Sequence, residues 1–534
     1  MDLSPSAPQR PARPLPWHPI VLAVMVVTSF WLETAVSPYA ALRSVGIAVL
    51  LAVLVMVVAG ALARSLLLGA LVASALIGLA WSKQLVAIPS SLAGRGQVVA
   101  AVLVSLALIG VVVLAVRILL RNRARITLSG ATVVLNRAAA LLLLAALGLG
   151  IINGRLAATA SDLREGINLA TWATEASGTP GERPDVYAIL LDGYPRADVL
   201  DYAFDLDNSQ FIGELEERGF TVAPGGHSDY LWTHVSLPSA LNMAYVEQIP
   251  DMWAVMDGQL PRQPTLRRTV ADNLVFEAAR ELGYTPVGVA SGFEEVAPRQ
   301  ADVYVDGGQL NEFEISLLLS TWAGDAVAAL APDFGSSQQR QRILFNLEVL
   351  PRIAEIHDQD PVLVFAHVPA PHQPVVFGAD GAPVAVPISD AYFADSPGER
   401  GEPADEFAAR YRAQLPYLNA RILEAIDGVL ANSAVDPVIV LFADHGSASE
   451  VDWNVTEPDE ADPARLLERT GILFAALTPG QDDVFPDDVS PVDLFRLLFD
   501  AYDGTAYGRA TPPAGGGHVA PIDASVLESA TDGR

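Results

Sequence analysis

Apolar positions fall along this chain in two rhythms. Up to about residue 152 they form long runs scarcely broken by charge; beyond about residue 185 they form short runs separated by helical patterns. A spanning helix needs about 20 mostly apolar residues to cross ~30 Å of hydrocarbon. The stretches Pro19–Ala40, Ser44–Leu62 and Gln97–Leu120 meet that need. Leu66–Trp81 is short unless it runs on past Lys83. Ala138–Ile152 is also short at ~1.5 Å rise per residue, and is expected to extend upstream through Val133 with Arg137 reaching to the interface. The pattern therefore predicts a cytoplasmic tail over residues 1–18, about five transmembrane helices over 19–154, a juxtamembrane linker over 155–184 and a folded domain over 185–534.

In the folded domain the short runs read as buried strands. Val186–Leu191, Val362–Ala366 and Val438–Phe442 each end close to a polar residue. Tyr417–Leu430, with Pro416 at its start, reads as an amphipathic helix ahead of the last of these. Strands alternating with helices predict a doubly wound α/β sheet, in which ligands bind beyond the carboxyl ends of the strands.

Charge adds orientation. Arg10, Arg13, Arg64, Arg117, Arg121, Arg123, Arg125 and Arg137 fall on one side of the predicted spans, and only Arg43, Lys83 and Arg95 on the other. Basic residues stay inside, so the pattern predicts a multi-pass plasma-membrane protein whose folded domain is extracytoplasmic. The formal net charge is −29, with nearly all Asp and Glu beyond about residue 180. An acidic surface repels nucleic-acid backbone, so no nucleic-acid partner is expected. The chain has no cysteine, which removes disulfides, Cys-ligated zinc and Cys nucleophiles.

The residues that end the strands carry the chemistry. Asp192-Gly193 closes the first strand, and Asp444-His445-Gly446 closes the strand Val438–Phe442. Taken alone, the first reads as a turn, and the second reads as a turn or as a carboxylate and an imidazole paired at a strand end. Together, two Asp and one His make a mixed oxygen and nitrogen site for one divalent cation that lacks a fourth ligand. The hydroxyl-rich stretch Ser228–Ser239 offers one, since a metal-bound hydroxyl has a lowered pKa and Thr233 or Ser236 could then attack as an alkoxide. The alternative is a capped helix start with Ala240, Leu241 and Met243 as its apolar face. His372, in the loop Pro369–Pro374, is either a solvated loop residue or a further site residue.

In order, strand–Asp, hydroxyl-rich loop, strand–His loop and strand–Asp-His-Gly, the soluble half resembles the alkaline-phosphatase superfamily. The resemblance is to the sulfatase-like membrane branch that includes lipoteichoic-acid synthases and phosphoethanolamine transferases. It covers about Asp185–Leu498, including the stretches Leu310–Glu314, Glu468–Leu473 and Ser490–Arg496, which carry no expected chemistry. The resemblance implies Asp192, Thr233, Asp444 and His445 as metal ligands, Thr233 as nucleophile and His372 as a substrate-contacting residue. Asp192 stands where phosphotransferase relatives often have Glu. The implied cofactor is one divalent ion, manganese or zinc, with magnesium or calcium as alternatives.

True sulfatases use a formylglycine made from Cys or Ser in a [Cys/Ser]-x-Pro-x-Arg motif; Ser236–Ala240 fails at the Arg position. Phosphoryl chemistry through a phospho-threonine is the expectation, transferring or hydrolysing a head group in the cell envelope. The expected partners are the lipid bilayer and a phospholipid-derived or envelope-glycan substrate. The alternatives are a sulfuric-ester hydrolase and a non-catalytic envelope binding or sensing module.

Overall fold

The computed structural model describes residues 14–34, 36–87, 127–152, 167–168, 183–249, 251–252, 262–356, 360–389, 402–449, 462–514 and 517–531. The chain divides into two compact units, Met1–Ala160 with Ser316–Ala326, and Ser161–Ile315 with Val327–Arg534.

The first unit holds four apolar helices among its described residues, His18–Thr34, Pro38–Leu62, Leu66–Ala87 and Leu128–Ile152. Three stretches, Pro38–Leu62, Leu66–Lys83 and Leu128–Ile151, are long and apolar enough to cross a membrane. The stretch expected as one span over Pro19–Ala40 is broken. Its helix ends at Thr34, and the next begins at Pro38, where the fixed φ of proline suits the first helical position. The two stretches that looked short both lengthen: one runs past Lys83 to Ala87, the other starts upstream at Leu128. The expected span Gln97–Leu120, and most of the expected linker over 155–184, lie outside the described residues.

Large apolar side chains of these helices face outward, while polar residues are enclosed beside apolar ones such as Val27, Phe30 and Leu32. Leu50 is 67% exposed, and Leu54, Leu141, Leu144 and Ile151 also face outward, whereas His18, Ser44, Thr132 and Asn136 are buried. The His18 backbone N–H donates to Asn136 Oδ1 at 3.0 Å, Asn136 Nδ2 donates to the Leu15 carbonyl at 2.9 Å, and His18 Nδ1 lies 2.6 Å from Ser74 Oγ. Apolar helices gain nothing from burying leucine against leucine when the solvent is lipid, so polar contacts and small residues hold them together.

The second unit is an α/β domain built on an eight-stranded sheet. Its strands are β1 (Ile167–Asn168), β2 (Val186–Leu191), β3 (Thr221–Val222), β4 (Thr285–Val289), β5 (Val303–Val305), β6 (Val362–Val368), β7 (Val438–Phe442) and β8 (Phe474–Leu477). They lie in the order β1-β5-β4-β6-β2-β7-β8-β3, parallel except where β8 meets β7 and β3 meets β8. Strands β2, β6 and β7 are buried along their whole length, which is why they read as unbroken apolar runs. Alternate residues serve opposite faces. Tyr187, Ile189 and Leu191 join one hydrophobic layer, and Val186, Ala188 and Leu190 join the other. The doubly wound expectation holds, with an antiparallel margin at β8 and β3.

The helix expected over Tyr417–Leu430 spans Ala404–Asn432, so Pro416 lies inside it rather than at its start. Upstream of the proline, Phe407, Tyr411, Gln414 and Leu415 continue the buried stripe at helical spacing. That burial offsets the hydrogen bond which an interior proline forfeits.

Candidate active site

The sheet order makes the site. β2 lies between β6 and β7, all three parallel, with Leu191 beside Val368 and Leu190 beside Phe442. The three carboxyl ends therefore meet at one edge of the sheet, and the residues that follow them converge.

Asp192-Gly193 follows β2. Gly193 adopts φ +68°, and a Cβ there would stand 3.3 Å from His372 Cδ2 and 3.5 Å from His372 Cα. Only glycine sits without strain in that turn. The peptide ties its neighbours together. The Asp192 carbonyl accepts from the His372 N–H at 2.8 Å, and the Gly193 N–H donates to Asp444 Oδ1 at 3.2 Å. His372 lies in a loop with cis peptide bonds before Pro371 and Pro374. Its Nδ1 lies 2.6 Å from the Gln373 carbonyl, which can only accept, so Nδ1 carries the proton and donates there.

Asp444 and His445 follow β7, both buried. Gly446 next to them admits a close backbone approach: its N–H donates to the Arg469 carbonyl at 2.6 Å, and a Cβ would stand 2.1 Å from the Glu468 carbonyl oxygen. His445 Nδ1 donates to the Gly446 carbonyl at 2.8 Å, which leaves Nε2 facing inward. Burial first, and then the nearby Arg469 charge, pull the His445 imidazole well below its ordinary pKa, so Nε2 presents a lone pair.

Around His445 Nε2 stand Thr233 Oγ1 at 3.1 Å, Asp444 Oδ2 at 3.5 Å and Asp192 Oδ1 at 3.6 Å. Asp192 Oδ1 and Asp444 Oδ2 are buried side-chain oxygens without a hydrogen-bond partner. Two such oxygens facing one imidazole lone pair is costly unless a cation lies among them. Donors on a tetrahedron with arms of about 2.1 Å stand about 3.4 Å apart, close to the three distances from His445 Nε2. Among the described residues, the His and carboxylate ligand atoms that all lie within 4.8 Å of one another are those of Asp192, His372 and His445, a grouping that takes in His372 and leaves out Asp444.

The two carboxylates differ in electrostatics. Burial raises Asp192, but the His372 charge and the hydrogen bond and charge of His367 outweigh it and hold its carboxyl below the ordinary range. Burial and the neighbouring Asp192 charge push Asp444 upward.

The sequence reading missed His367. It is the sixth residue of β6, which runs two residues past the expected end at Ala366. Its Nε2 lies 2.9 Å from Asp192 Oδ2, turning the other oxygen, Oδ1, toward His445. The signal was present: His367-Val368-Pro369 repeats the His-x-Pro spacing of His372-Gln373-Pro374.

Thr233 is the first residue of the helix Thr233–Leu241, half-buried, with Trp232 before it in extended backbone. Ser236, one turn on, points away from the cavity into a buried network. Its hydroxyl lies 3.0 Å from Ser228 Oγ, which donates to the Asp444 carbonyl. Met243 lies beyond the helix, at φ +53°. A cavity of about 270 Å³ opens on the site, lined by Asp192, Thr233, His367, His372 and His445 together with Trp232, His234, Phe293, Glu295, Val296, Glu312 and Arg469. Glu312 and Arg469 come from stretches expected to carry no chemistry. Arg469 lies over the Trp232 ring at 5.3 Å, and donates to the Leu231 and Gly446 carbonyls at 2.7 and 2.9 Å.

No protein-family model matches the sequence, and no curated protein does either. Solved structures align with parts of the chain. The C-terminal periplasmic domain of EcEptC from Escherichia coli aligns at 16% identity and TM-score 0.38, covering 62% of this chain and 86% of that one. The integral membrane lipooligosaccharide phosphoethanolamine transferase EptA of Neisseria meningitidis aligns at 13% identity and TM-score 0.36, covering 92% of this chain and 80% of that one. A putative sulfatase of Bacteroides thetaiotaomicron aligns at 17% identity and TM-score 0.39, covering 61% and 72%.

Proposed function

We propose that this chain is a membrane-anchored, metal-dependent enzyme that transfers or hydrolyses a phosphoryl head group through a covalent phospho-threonine. The observation that carries the reading is the pair of unpartnered buried oxygens, Asp192 Oδ1 and Asp444 Oδ2, gathered with Thr233 Oγ1 around His445 Nε2. Asp192, Asp444, His445 and Thr233 would hold one divalent ion. When bound, that ion supplies positive charge that lowers the hydroxyl pKa and offsets charge developing on the phosphoryl group.

This chain's residues do the rest. Thr233 Oγ attacks phosphorus; the new Oγ–P bond forms as the bond to the leaving oxygen breaks. His372 lines the cavity with Nδ1 donating to the Gln373 carbonyl, so its Nε2 is left with a lone pair that would take the proton of the Thr233 hydroxyl and return it to the leaving oxygen. An acceptor hydroxyl or water then displaces Thr233 in the second step. The N-terminus of the helix Thr233–Leu241 adds its positive end toward the phosphoryl oxygens. His367 holds Asp192 in register and touches no reacting atom.

The chain purified whole in detergent, loaded with Mn²⁺ or Zn²⁺, is expected to turn over a chromogenic phosphodiester. Thr233→Ala should lower that turnover at least about a thousandfold, the scale seen when a nucleophile is deleted. His372→Ala should lower turnover with metal affinity kept, whereas loss of the metal would move His372 into the ligand set. Chain that binds no divalent metal would sink the reading, and release of sulfate in preference to phosphate would replace it with the sulfuric-ester hydrolase.

A further inference from the structure

Within the later chain lies an apolar segment that the chemistry above does not use. From Ile315 to Ala331 the only charged residue is Asp325. The segment forms two short helices, Glu312–Leu319 and Trp322–Leu330, bent by 100° at Ser320-Thr321, and the pair together is as apolar as a spanning segment. At ~1.5 Å per residue, neither arm of eight or nine residues reaches even halfway across ~30 Å of hydrocarbon. The pair is therefore no straight span. A Cβ on Gly324 would stand 2.5 Å from the Leu318 carbonyl, so the bend is closely packed at its inner side.

Ser316–Ala326 belongs to the unit of the apolar N-terminal helices, not to the sheet domain. The fastening is specific. Lys83, at the end of the spanning stretch Leu66–Lys83, donates from Nζ to the Leu319 carbonyl at 2.8 Å and pairs with Asp325 at 2.6 Å. Trp322 Nε1 donates to Ser82 Oγ at 3.1 Å. The one lysine of the chain thus caps the first arm and neutralises the one charge of the second. Beyond that clasp the second arm turns outward: Trp322 is 47% and Leu330 86% exposed, with Ala328 and Ala329 exposed between them.

An uncovered Trp and Leu on a helix whose only charge is paired are poorly suited to water. Trp joined by its N–H to the polar end of a spanning helix is the arrangement that membrane–water interfaces select. We propose that the bent pair, from Leu317 to Leu330, lies in the head-group and upper acyl region of the lipid bilayer, on the side where the helix bearing Lys83 ends. This gives the later chain its own lipid contact, beside the N-terminal spans. The inference rests on those helices spanning a membrane, and the experiment separates the two.

Because the chain has no cysteine, single labels are clean. Leu330→Cys, Ala328→Cys, Leu54→Cys and Glu216→Cys, each carrying a nitroxide, are reconstituted in phosphatidylcholine–phosphatidylglycerol vesicles. Collision rates with oxygen and with a water-soluble nickel chelate are then compared. Leu54 reports the spans, and Glu216, exposed on the sheet domain, reports water. The expected result is an oxygen-to-nickel ratio at Leu330 and Ala328 several-fold above that at Glu216 and below that at Leu54. A ratio at both positions equal to that at Glu216, with Leu54 still in hydrocarbon, overturns this inference alone. Nickel access at Leu54 as well would overturn the membrane reading and this inference with it.

Discussion

The N-terminal unit and the sheet domain are both rich in unbroken apolar sequence, and they spend it in opposite directions. In the sheet domain, Val186–Leu191 and Val438–Phe442 are buried at every position, because both faces of the sheet are covered. In the N-terminal unit Leu50, Leu141 and Leu144 face outward, and polar His18 and Asn136 are among the residues enclosed. Length is the telling difference. A run of five or six apolar residues marks a covered strand; a run of 20 or more marks a helix whose solvent is lipid. The contrast also teaches what each unit relies on. The sheet domain is held by area removed from water, the N-terminal unit by a few polar links such as His18–Ser74.

The sharpest way to break this comparison is truncation. Phe365 is fully buried in β6, and Phe365→Ala is expected to destabilise the sheet domain by about 3–5 kcal/mol. Its unfolding midpoint in detergent should fall accordingly. Leu50→Ala at the lipid-facing surface should stay within about 1 kcal/mol by the same measurement. Equal losses at the two positions would mean that Leu50 packs against protein.

A second effect is confined to the sheet domain. Burial pushes the Asp229 carboxyl up to about 7, against a hydrogen bond from Ser490. An acid raised in the folded state is most favourable when protonated. Its contribution is full below about pH 4 and is lost as pH climbs through about 7. Asp229→Asn should therefore stabilise the chain by up to about 4 kcal/mol at pH 8 relative to its effect at pH 4. A pH-independent effect on the unfolding midpoint would contradict this.

A smaller effect sharpens the role of the sheet as scaffold. His367→Ala removes the group that fixes Asp192, and is expected to weaken divalent-metal affinity about 10- to 100-fold. Isothermal titration with Zn²⁺ reads it directly. His367→Gln, which keeps a donor, should recover part of the loss. Unchanged affinity in both variants would leave His367 a packing residue.

Much of this architecture was legible in the sequence, for identifiable reasons. β2, β6 and β7 announce themselves as apolar runs, and each is followed within a few positions by a polar residue that the sheet brings to one edge. That carried Asp192, Asp444, His445 and His372 into one place. Thr233 was legible as part of a hydroxyl-rich stretch, but its separation from Ser236 was not. One turn of helix decides which hydroxyl meets the cavity, and both residues belong to the same motif. His367 hid because a histidine at the end of an apolar strand looks like a strand residue with nothing to do. Arg469 and Glu312 were invisible as site residues, since only tertiary packing brings them to the cavity. β1, β3 and β5, at two or three residues each, are too short to show any period. Pro416 misled because a proline usually opens a helix, and here the buried stripe continues past it on both sides.

The turn at Gly193 bears on how this site could diversify. One peptide of the chain serves as carbonyl acceptor for the His372 loop and N–H donor for Asp444, with a glycine where no side chain fits. Such a junction resists piecemeal change, because any alteration there disturbs two strand ends at once. Thr233 arrives differently, on a separate helix whose hydroxyl reaches His445 through a single contact. Descendants of this scaffold should vary most readily at the attacking group, and least at the hinge-like peptide that gathers the carboxylates.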